Sequence, residues 1–201
     1  MNKTIDYYEQ NAQDFAASTK DIDFTAVEDK FAAYLPKGAL ILDFGCGAGR
    51  DTKYFLSLGF QVKAMDGSKE LCKIASENTG IQVRNCLFSD LDEVEKYDGI
   101  WACASILHLP KDELKPVLAK MCRAVKLGGY IYTSFKYGDF EGVRHGRYFT
   151  HFTEESFGEY IHHMNELGII EAWTTLDVRP GRGDERWLNV ILQKNVIAIA
   201  W

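Results

Sequence analysis

The stretch Ile41–Thr52, ILDFGCGAGRDT, decides the fold of this chain. An apolar run, Ala39–Phe44, leads into three glycines spaced G-x-G-x-G, and the helical pattern of Asp51–Leu58 follows until Gly59 ends it. Glycines allow positive φ angles and let the backbone approach a ligand closely. The start of the following helix offers unpaired N–H groups to an anion. The stretch therefore predicts a strand, a ligand-binding turn and a helix.

Short apolar runs and amphipathic stretches alternate along the rest of the chain. Further strands are predicted at Phe60–Met65, Ile81–Cys86, Gly99–Ala104, Tyr130–Phe135, Ile169–Thr175 and Trp187–Gln193. Helices are predicted in the N-terminal segment up to Leu35 and after an N-cap at Ser68. Two more are predicted over Lys111–Val125, where Gly128–Gly129 is the stop signal, and over Glu154–Leu167. Lys136–Thr150 is predicted to be a loop. The pattern indicates an α/β fold: a doubly wound, mostly parallel seven-stranded sheet with helices on both faces and an antiparallel C-terminal hairpin.

An acidic residue, Asp66, ends the second predicted strand in VKAMDGS. A carboxylate at this point can accept hydrogen bonds from both hydroxyls of a ribose. The alternative is a helix-capping Asp beside a purely structural glycine turn, but the two motifs together favour a nucleoside-containing ligand. A dinucleotide-binding turn reads G-x-G-x-x-G, whereas this chain has G-x-G-x-G with Asp43 two residues before the first glycine. The spacing argues against a nicotinamide-dependent oxidoreductase.

These motifs resemble those of class I S-adenosylmethionine-dependent methyltransferases, over roughly Tyr7 to Phe135. LDFGCGAGRDT is similar to the first motif of that family and VKAMDGS to the second. YDGIWACASILHL resembles the fourth strand with its loop, LGGYIYTSF the fifth strand, and YYEQNAQDFAAST the N-terminal lid. GCGAGRDTKYFLSLGFQV is similar to the small bacterial branch that includes tellurite-resistance-like enzymes.

The resemblance implies an enzyme that moves a methyl group from S-adenosylmethionine to a small acceptor by in-line displacement. Such a transfer requires positioning and the exclusion of water, and it requires no metal. We expect one domain over residues 1–201, with a helical lid in 1–35, a cofactor-binding core in 36–135 and an acceptor-side region in 136–201. The alternatives are a methyltransferase that modifies tRNA or nucleotides and a non-catalytic cofactor-binding module.

Residue roles in cofactor binding also follow from the resemblance. Gly45 and Gly47 would contact the methionine part, Asp43 its ammonium group and Asp66 the ribose, while Phe88 would pack on the adenine. Alternatively, Asp43 is a strand-end carboxylate that orders the turn, and Asp90 caps a short helix. The predicted cofactor-binding residues are Tyr8, Asp43, Gly45, Cys46, Gly47, Arg50, Asp66, Gly67, Phe88, Cys103 and Ala104.

The acceptor side is marked by basic and aromatic residues. His108, in the loop after the fourth strand, is the candidate catalytic residue, as a base or as a group that orients the acceptor; the alternative is a histidine that packs or caps the next helix. Arginine forks bind carboxylates and phosphates, so an anionic acceptor is one hypothesis. The alternative is that the arginines pair with nearby acids, Asp139, Glu141, Asp184 and Glu185, and order the loops. The predicted acceptor-binding residues are Lys136, Tyr137, Arg144, Arg147, Tyr148 and Arg186.

Composition narrows the function classes further. Acidic residues exceed basic ones by 29 to 23, a net charge of −6, which argues against broad nucleic-acid binding. No apolar run reaches the roughly 18 residues that span a bilayer, and the N-terminus has no signal-peptide core. The five cysteines form no CxxC pair, which indicates reduced thiols rather than a disulfide framework or a zinc ribbon. We expect a cytoplasmic monomer or homodimer with no membrane partner and no metal.

Overall fold

The computed structural model describes residues 3–179 and 181–195. The helices are α1 (Lys3–Gln10), α2 (Ala12–Thr19), α3 (Thr25–Ala32), α4 (Arg50–Ser57), α5 (Lys69–Thr79), α6 (Lys111–Ala124) and α7 (Glu154–Ile161). The strands are β1 (Leu40–Phe44), β2 (Gln61–Asp66), β3 (Val83–Asn85), β4 (Tyr97–Ala102), β5 (Val125–Lys136), β6 (Glu141–Arg144), β7 (Arg147–Thr150), β8 (Leu167–Leu176) and β9 (Arg186–Lys194). Helices α1, α2 and α3 confirm the prediction of a helical N-terminal segment.

Seven of the strands form one sheet, in the order β3-β2-β1-β4-β5-β9-β8. The first five of these strands pair in parallel. β9 is antiparallel to both β5 and β8, so the predicted C-terminal hairpin lies at one edge of the sheet. The predicted fold class is confirmed. In this arrangement the carboxyl ends of β1, β2, β4 and β5 meet at one edge, where ligands bind in open α/β sheets.

Neighbouring residues of each central strand face opposite sides of the sheet, because side chains alternate along a strand. On one side, Trp101 and Tyr132 stack with ring centroids 3.9 Å apart, and Phe31 of α3 and Phe55 of α4 pack on Trp101. On the other side, Ile100 and Ile131 of the same strands lie in an apolar cluster with Leu118 of α6 and Phe157 of α7. The two apolar layers fix the sheet edge that carries the site.

One predicted stop signal and one predicted helix end are wrong. The chain turns directly from α6 into β5 at Val125, so Gly128–Gly129 lies inside a strand and does not stop the helix. Val125 is fully buried and pairs with Tyr97, and this burial outweighs the local glycine signal. Likewise α7 stops at Ile161, and Leu167 begins β8 instead of ending a helix.

The predicted loop over Lys136–Thr150 is also wrong in part. It contains β6 and β7, which pair antiparallel as a separate two-stranded sheet. The connecting residues, His145 and Gly146, have φ values of +49° and +78°, as a two-residue hairpin turn with right-handed strand twist requires. This hairpin packs beside α1 and the loop after β4, and so forms part of the site described next.

Candidate active site

The glycine turn is held to the end of β2 by main-chain hydrogen bonds. The amides of Gly45 and Cys46 both donate to the carbonyl oxygen of Met65, at 2.9 and 3.0 Å. Gly45 has a φ of +87°, and a Cβ at this position would lie 2.5 Å from the Cβ of Ser105. The turn therefore requires glycine both for its backbone angle and for its close packing against the loop after β4.

Asp66 joins the glycine turn to the start of α5. Its two carboxylate oxygens accept from the amides of Gly47 and Ser68, each at 2.9 Å. Ser68 caps α5, as predicted, by accepting from the amide of Leu71. Burial raises the pKa of Asp66 to about 6, while the hydrogen bonds from the backbone oppose that rise. The carboxylate is therefore mainly ionised at neutral pH and is held in a fixed orientation.

A cavity of about 1190 Å³ opens at this sheet edge. It is larger than the roughly 300–1000 Å³ of a pocket for one drug-sized ligand, so it has room for a cofactor and a second small molecule. The predicted cofactor residues that line it are Tyr8, Gly45, Cys46, Gly47, Arg50, Asp66, Gly67, Phe88, Cys103 and Ala104. The predicted acceptor-side residues that line it are His108, Lys136, Tyr137, Arg144, Arg147 and Arg186.

Asp43 and Tyr148 are not among the described residues that line the cavity. Asp43 is 2% exposed, and its carboxylate accepts from the hydroxyl of Thr52 at 2.5 Å. Burial raises the pKa of Asp43 to about 8. This position matches the alternative interpretation of Asp43 as a carboxylate that orders the turn. The hydroxyl of Tyr148 donates to Glu141 at 3.1 Å, away from the cavity.

The wall also contains an acid that the sequence analysis missed. Asp51, the second residue of α4, lines the cavity beside Arg50. Its Oδ1 accepts from Nε of Arg50 at 2.5 Å, and its Oδ2 accepts from the indole N–H of Trp101 at 2.8 Å. The signal that could have identified Asp51 was its place in the first turn of the helix that follows the glycines, where a side chain faces the same ligand as the turn.

At the position that the family resemblance assigns to the adenine, Phe88 packs on Phe44 with ring centroids 4.7 Å apart. Asp90 accepts from the amide of Leu87 at 2.9 Å. Asp90 therefore caps the short 3-10 turn Phe88–Asp90, as the alternative interpretation proposed, and Phe88 is left at the cavity wall.

Three side chains from distant parts of the sequence form a chain of hydrogen bonds across the cavity. Nδ1 of His108 lies 2.6 Å from the carbonyl oxygen of Tyr148, which can only accept, so this nitrogen carries the hydrogen. Nε2 of His108 then accepts from the hydroxyl of Tyr8 at 2.9 Å. Nη1 of Arg147 donates to the same hydroxyl at 3.2 Å. Burial lowers the pKa of His108 to about 4, so its imidazole is neutral at physiological pH.

The basic side chains of the cavity divide into two groups. Lys136 forms ion pairs with Asp177 and Glu185, and Arg179 pairs with Asp177 at 2.5 Å. These basic side chains therefore pair with acids and order the loops, as the alternative interpretation proposed. Of the four acids expected, Glu185 takes part, and Asp177 is the main partner. Within residues 3–179 and 181–195, Arg144 and Arg147 form no ion pair with an acid. They lie instead on aromatic rings: Arg144 lies 3.5 Å above the ring of Phe140.

Comparison with known proteins agrees with this geometry. The model of a methyltransferase domain family matches residues 41–129. An uncharacterized methyltransferase of Geobacillus sp. (strain WCH70) is 29% identical over 205 residues, which cover 98% of this chain and 91% of the relative. The structure of the 1,6-didemethyltoxoflavin-N1-methyltransferase of Burkholderia thailandensis, with S-adenosylhomocysteine bound, is similar with a TM-score of 0.78 and 25% identity, over 96% of this chain and 87% of that one.

These matches and the fold support a class I S-adenosylmethionine-dependent methyltransferase, with S-adenosylmethionine as the cofactor. Within that class it is similar to a TehB-like S-adenosylmethionine-dependent methyltransferase of Corynebacterium glutamicum, with a TM-score of 0.68 and 25% identity over 95% of this chain and 98% of the other. Across the described ranges, none of the helices has the length and apolar character that a bilayer crossing requires. The same residues contain no group of three or more His, Cys, Asp or Glu side chains placed to bind a metal ion.

Proposed function

We propose that this methyltransferase acts on a small acceptor that carries negative charge and binds between the β6–β7 hairpin and the loop after β4. Arg147 is the observation that supports this proposal most. Its guanidinium lies 4.6 Å from the ring centroid of Tyr7 and 5.2 Å from that of Phe149, and among the described residues its buried Nε has no hydrogen-bond partner. A partly buried cation without a carboxylate costs free energy, which an anionic ligand offsets.

The small size of the acceptor has separate support. The cavity has room for a cofactor and one further small molecule. The structurally similar Burkholderia thailandensis enzyme binds 1,6-didemethyltoxoflavin together with S-adenosylhomocysteine. We therefore place the acceptor inside the cavity, beside Arg147, rather than on the outer surface of the protein.

The residues of the other wall fit the cofactor. Each oxygen of Asp66 holds one backbone N–H and keeps a lone pair for a ribose hydroxyl. A Cβ on Gly47 would lie 3.0 Å from the ring of Phe15, so a side chain there would fill the space between the turn and α2. Phe88 offers an apolar face to the adenine. When bound, S-adenosylmethionine supplies a methyl group that is already activated for transfer.

The protein has to position the acceptor and exclude water. We assign this task to the lid in residues 1–35, because α1 is hydrogen-bonded to both walls. Glu9 accepts from the hydroxyl of Ser68 at 2.7 Å, on the cofactor side. The amide of Tyr148 donates to the hydroxyl of Thr4 at 2.9 Å, on the hairpin side. The side chain of Tyr8, on the same helix, lines the cavity.

His108 orients Tyr8 in this proposal and does not remove a proton from the acceptor. Its Nε2 already accepts the hydrogen of the Tyr8 hydroxyl. A pKa lowered to about 4 makes the imidazole a poor base at neutral pH. Our proposal thus gives His108 a positioning role on Tyr8, which differs from both roles predicted from the sequence, a base and a group that orients the acceptor.

The proposal is tested with pairs of small acceptors that differ in charge, each carboxylate with its amide, by measuring the formation of S-adenosylhomocysteine. We expect methylation of the charged members, and a loss of about 10- to 100-fold in kcat/KM for them in Arg147→Gln, because a hydrogen bond to a charged group contributes about 1.5–3 kcal/mol. Arg123→Gln, on the exposed side of α6, is the matched control and should match the wild type. Equal loss for charged and neutral acceptors in Arg147→Gln would contradict the proposal.

A further inference from the structure

Behind the glycine turn lies a buried group of carboxyls that the proposed mechanism does not use. Glu28 of α3 is 2% exposed and packs against α4, where Asp51 reaches the cavity wall. Within the described part of the chain, Oε1 of Glu28 has no hydrogen-bond partner. A carboxyl oxygen that is buried without a donor is unstable as an anion. The environment of Glu28 therefore favours its neutral, protonated form.

The contacts of Asp51 identify where the proton lies. The negative charge of Asp51 acts on the carboxyl of Glu28 and opposes the ionisation of both carboxyls together. Asp51 already accepts from Arg50 on one oxygen and from Trp101 on the other. The hydrogen therefore belongs to Glu28, and burial together with the neighbouring Asp51 raises the pKa of Glu28 to about 9.

The ionisable groups around Glu28 include more carboxyls than cations. Arg50 on α4 is the cation near Glu28, and Asp43 on β1 adds a carboxyl to those of Glu28 and Asp51. Cys103, just after β4, also faces Asp51 and Arg50, and burial raises the pKa of its thiol so that it stays neutral. A ligand that brings one positive charge to Asp51 would stabilise the ionised form of Glu28.

Arg50 and Asp51 present opposite charges side by side at the cavity wall, which suits a ligand with both a carboxylate and an ammonium group. We propose that the amino-acid end of the cofactor binds at this pair, with its ammonium on Asp51, and that Glu28 then releases its proton. The O–H bond of Glu28 breaks, its electron pair stays on the carboxylate, and the proton passes to the buffer. The inference rests on the proposed placement of the cofactor and gives Asp51 the role that the sequence assigned to Asp43.

Titration calorimetry of S-adenosylhomocysteine at pH 7.5, in two buffers with different ionisation enthalpies, counts the protons released. An opposite charge nearby lowers a pKa by about 1–3 units, so we expect Glu28 to release roughly 0.2–0.9 protons per bound ligand. Glu28→Gln should lose this release, and the difference between the two proteins removes any contribution from the ligand's own amine. Glu77→Gln, on the exposed surface of α5, is the matched control and should release as many protons as the wild type.

A second comparison needs no variant at Glu28. 5′-Methylthioadenosine has the nucleoside and the sulfur but no amino-acid end, so the wild type should bind it without releasing the proton of Glu28. Equal proton release with both ligands, or equal release by the wild type and Glu28→Gln, would overturn the inference. Absence of any S-adenosylhomocysteine binding to the wild type would instead overturn the cofactor placement on which the inference rests.

Discussion

The two walls of the cavity are held together by different kinds of bonds. The turn wall, formed by Gly45–Gly49 and Asp66, is fixed by backbone amides that donate to Met65 and Asp66. The hairpin wall, formed by His108, Arg144 and Arg147, depends on side chains such as the hydroxyl of Tyr8. Backbone bonds form with almost any side chain that the backbone angles allow. The turn wall therefore accepts only residues that fit its backbone angles, chiefly glycine, whereas the hairpin wall depends on which side chains it carries.

The largest effect is expected where the turn wall requires a glycine. Gly45→Ala combines the strain of a φ of +87° with a Cβ placed 2.5 Å from Ser105, so we expect a loss of several kcal/mol in the free energy of unfolding and loss of S-adenosylhomocysteine binding. Gly59→Ala is the matched control, with a φ of +84° and no described atom within 4 Å of the added Cβ. It should cost about 1 kcal/mol of strain and leave binding intact. Similar losses of stability in both variants, measured by urea unfolding, would show that close packing contributes nothing.

A smaller effect is expected from the carboxylate that joins the turn wall to the proposed ribose site. Asp66→Ala removes both oxygens that we propose accept from the ribose hydroxyls, and with them the partners of the Gly47 and Ser68 amides. We expect the Kd for S-adenosylhomocysteine to rise by about 100-fold or more, since hydrogen bonds to a charged group contribute about 1.5–3 kcal/mol each. Asp90→Ala, which removes only a cap on an exposed turn, should change the Kd by less than a few fold. Calorimetry compares the two variants, and an unchanged Kd for Asp66→Ala would contradict the assignment.

The smallest effect concerns pH and the hairpin wall. The pKa of His108 is 6.5 in a model peptide and is lowered to about 4 in the folded protein, so between these values the unfolded chain binds a proton that the folded protein does not. The free energy of unfolding should therefore fall as the pH drops from 6.5 to 4, by about 1–3 kcal/mol from this residue. Urea unfolding of the wild type and of His108→Asn at pH 4.5 and 7 measures this term. The same pH dependence in both proteins would show that His108 is not buried in its neutral form.

The turn wall could be predicted from sequence because short-range patterns specify it. The glycine spacing, the acid at the end of β2 and the N-cap at Ser68 each act within a few residues, and all three lie where the sequence placed them. The sequence offered two roles for Asp43, and no local pattern could decide between them. The outcome depends on the hydroxyl of Thr52, one turn into α4, which reaches back to that carboxylate in three dimensions.

The hairpin wall was harder to predict because long-range contacts build it. Tyr8 lies 100 residues from His108 and 139 residues from Arg147 in the sequence, and no local pattern brings them together. The β6–β7 hairpin did carry one local signal, the His145-Gly146 pair between two short strands, which is typical of a two-residue turn. The ion pair between Lys136 and Asp177 has no such signal, because it depends on the burial of the Asp177 carboxylate and not on closeness in the sequence.

The β6–β7 hairpin forms its own small sheet, and the one bridge described between its flanking residues joins Tyr137 to Phe152. Most of its side chains lie outside the apolar layers that hold the seven-stranded sheet together. Substitutions in this segment can therefore accumulate over evolution with little penalty to folding. Relatives that keep the same nucleoside pocket are free to diverge in the molecules they modify, and new specificities can arise by exchange of one short segment.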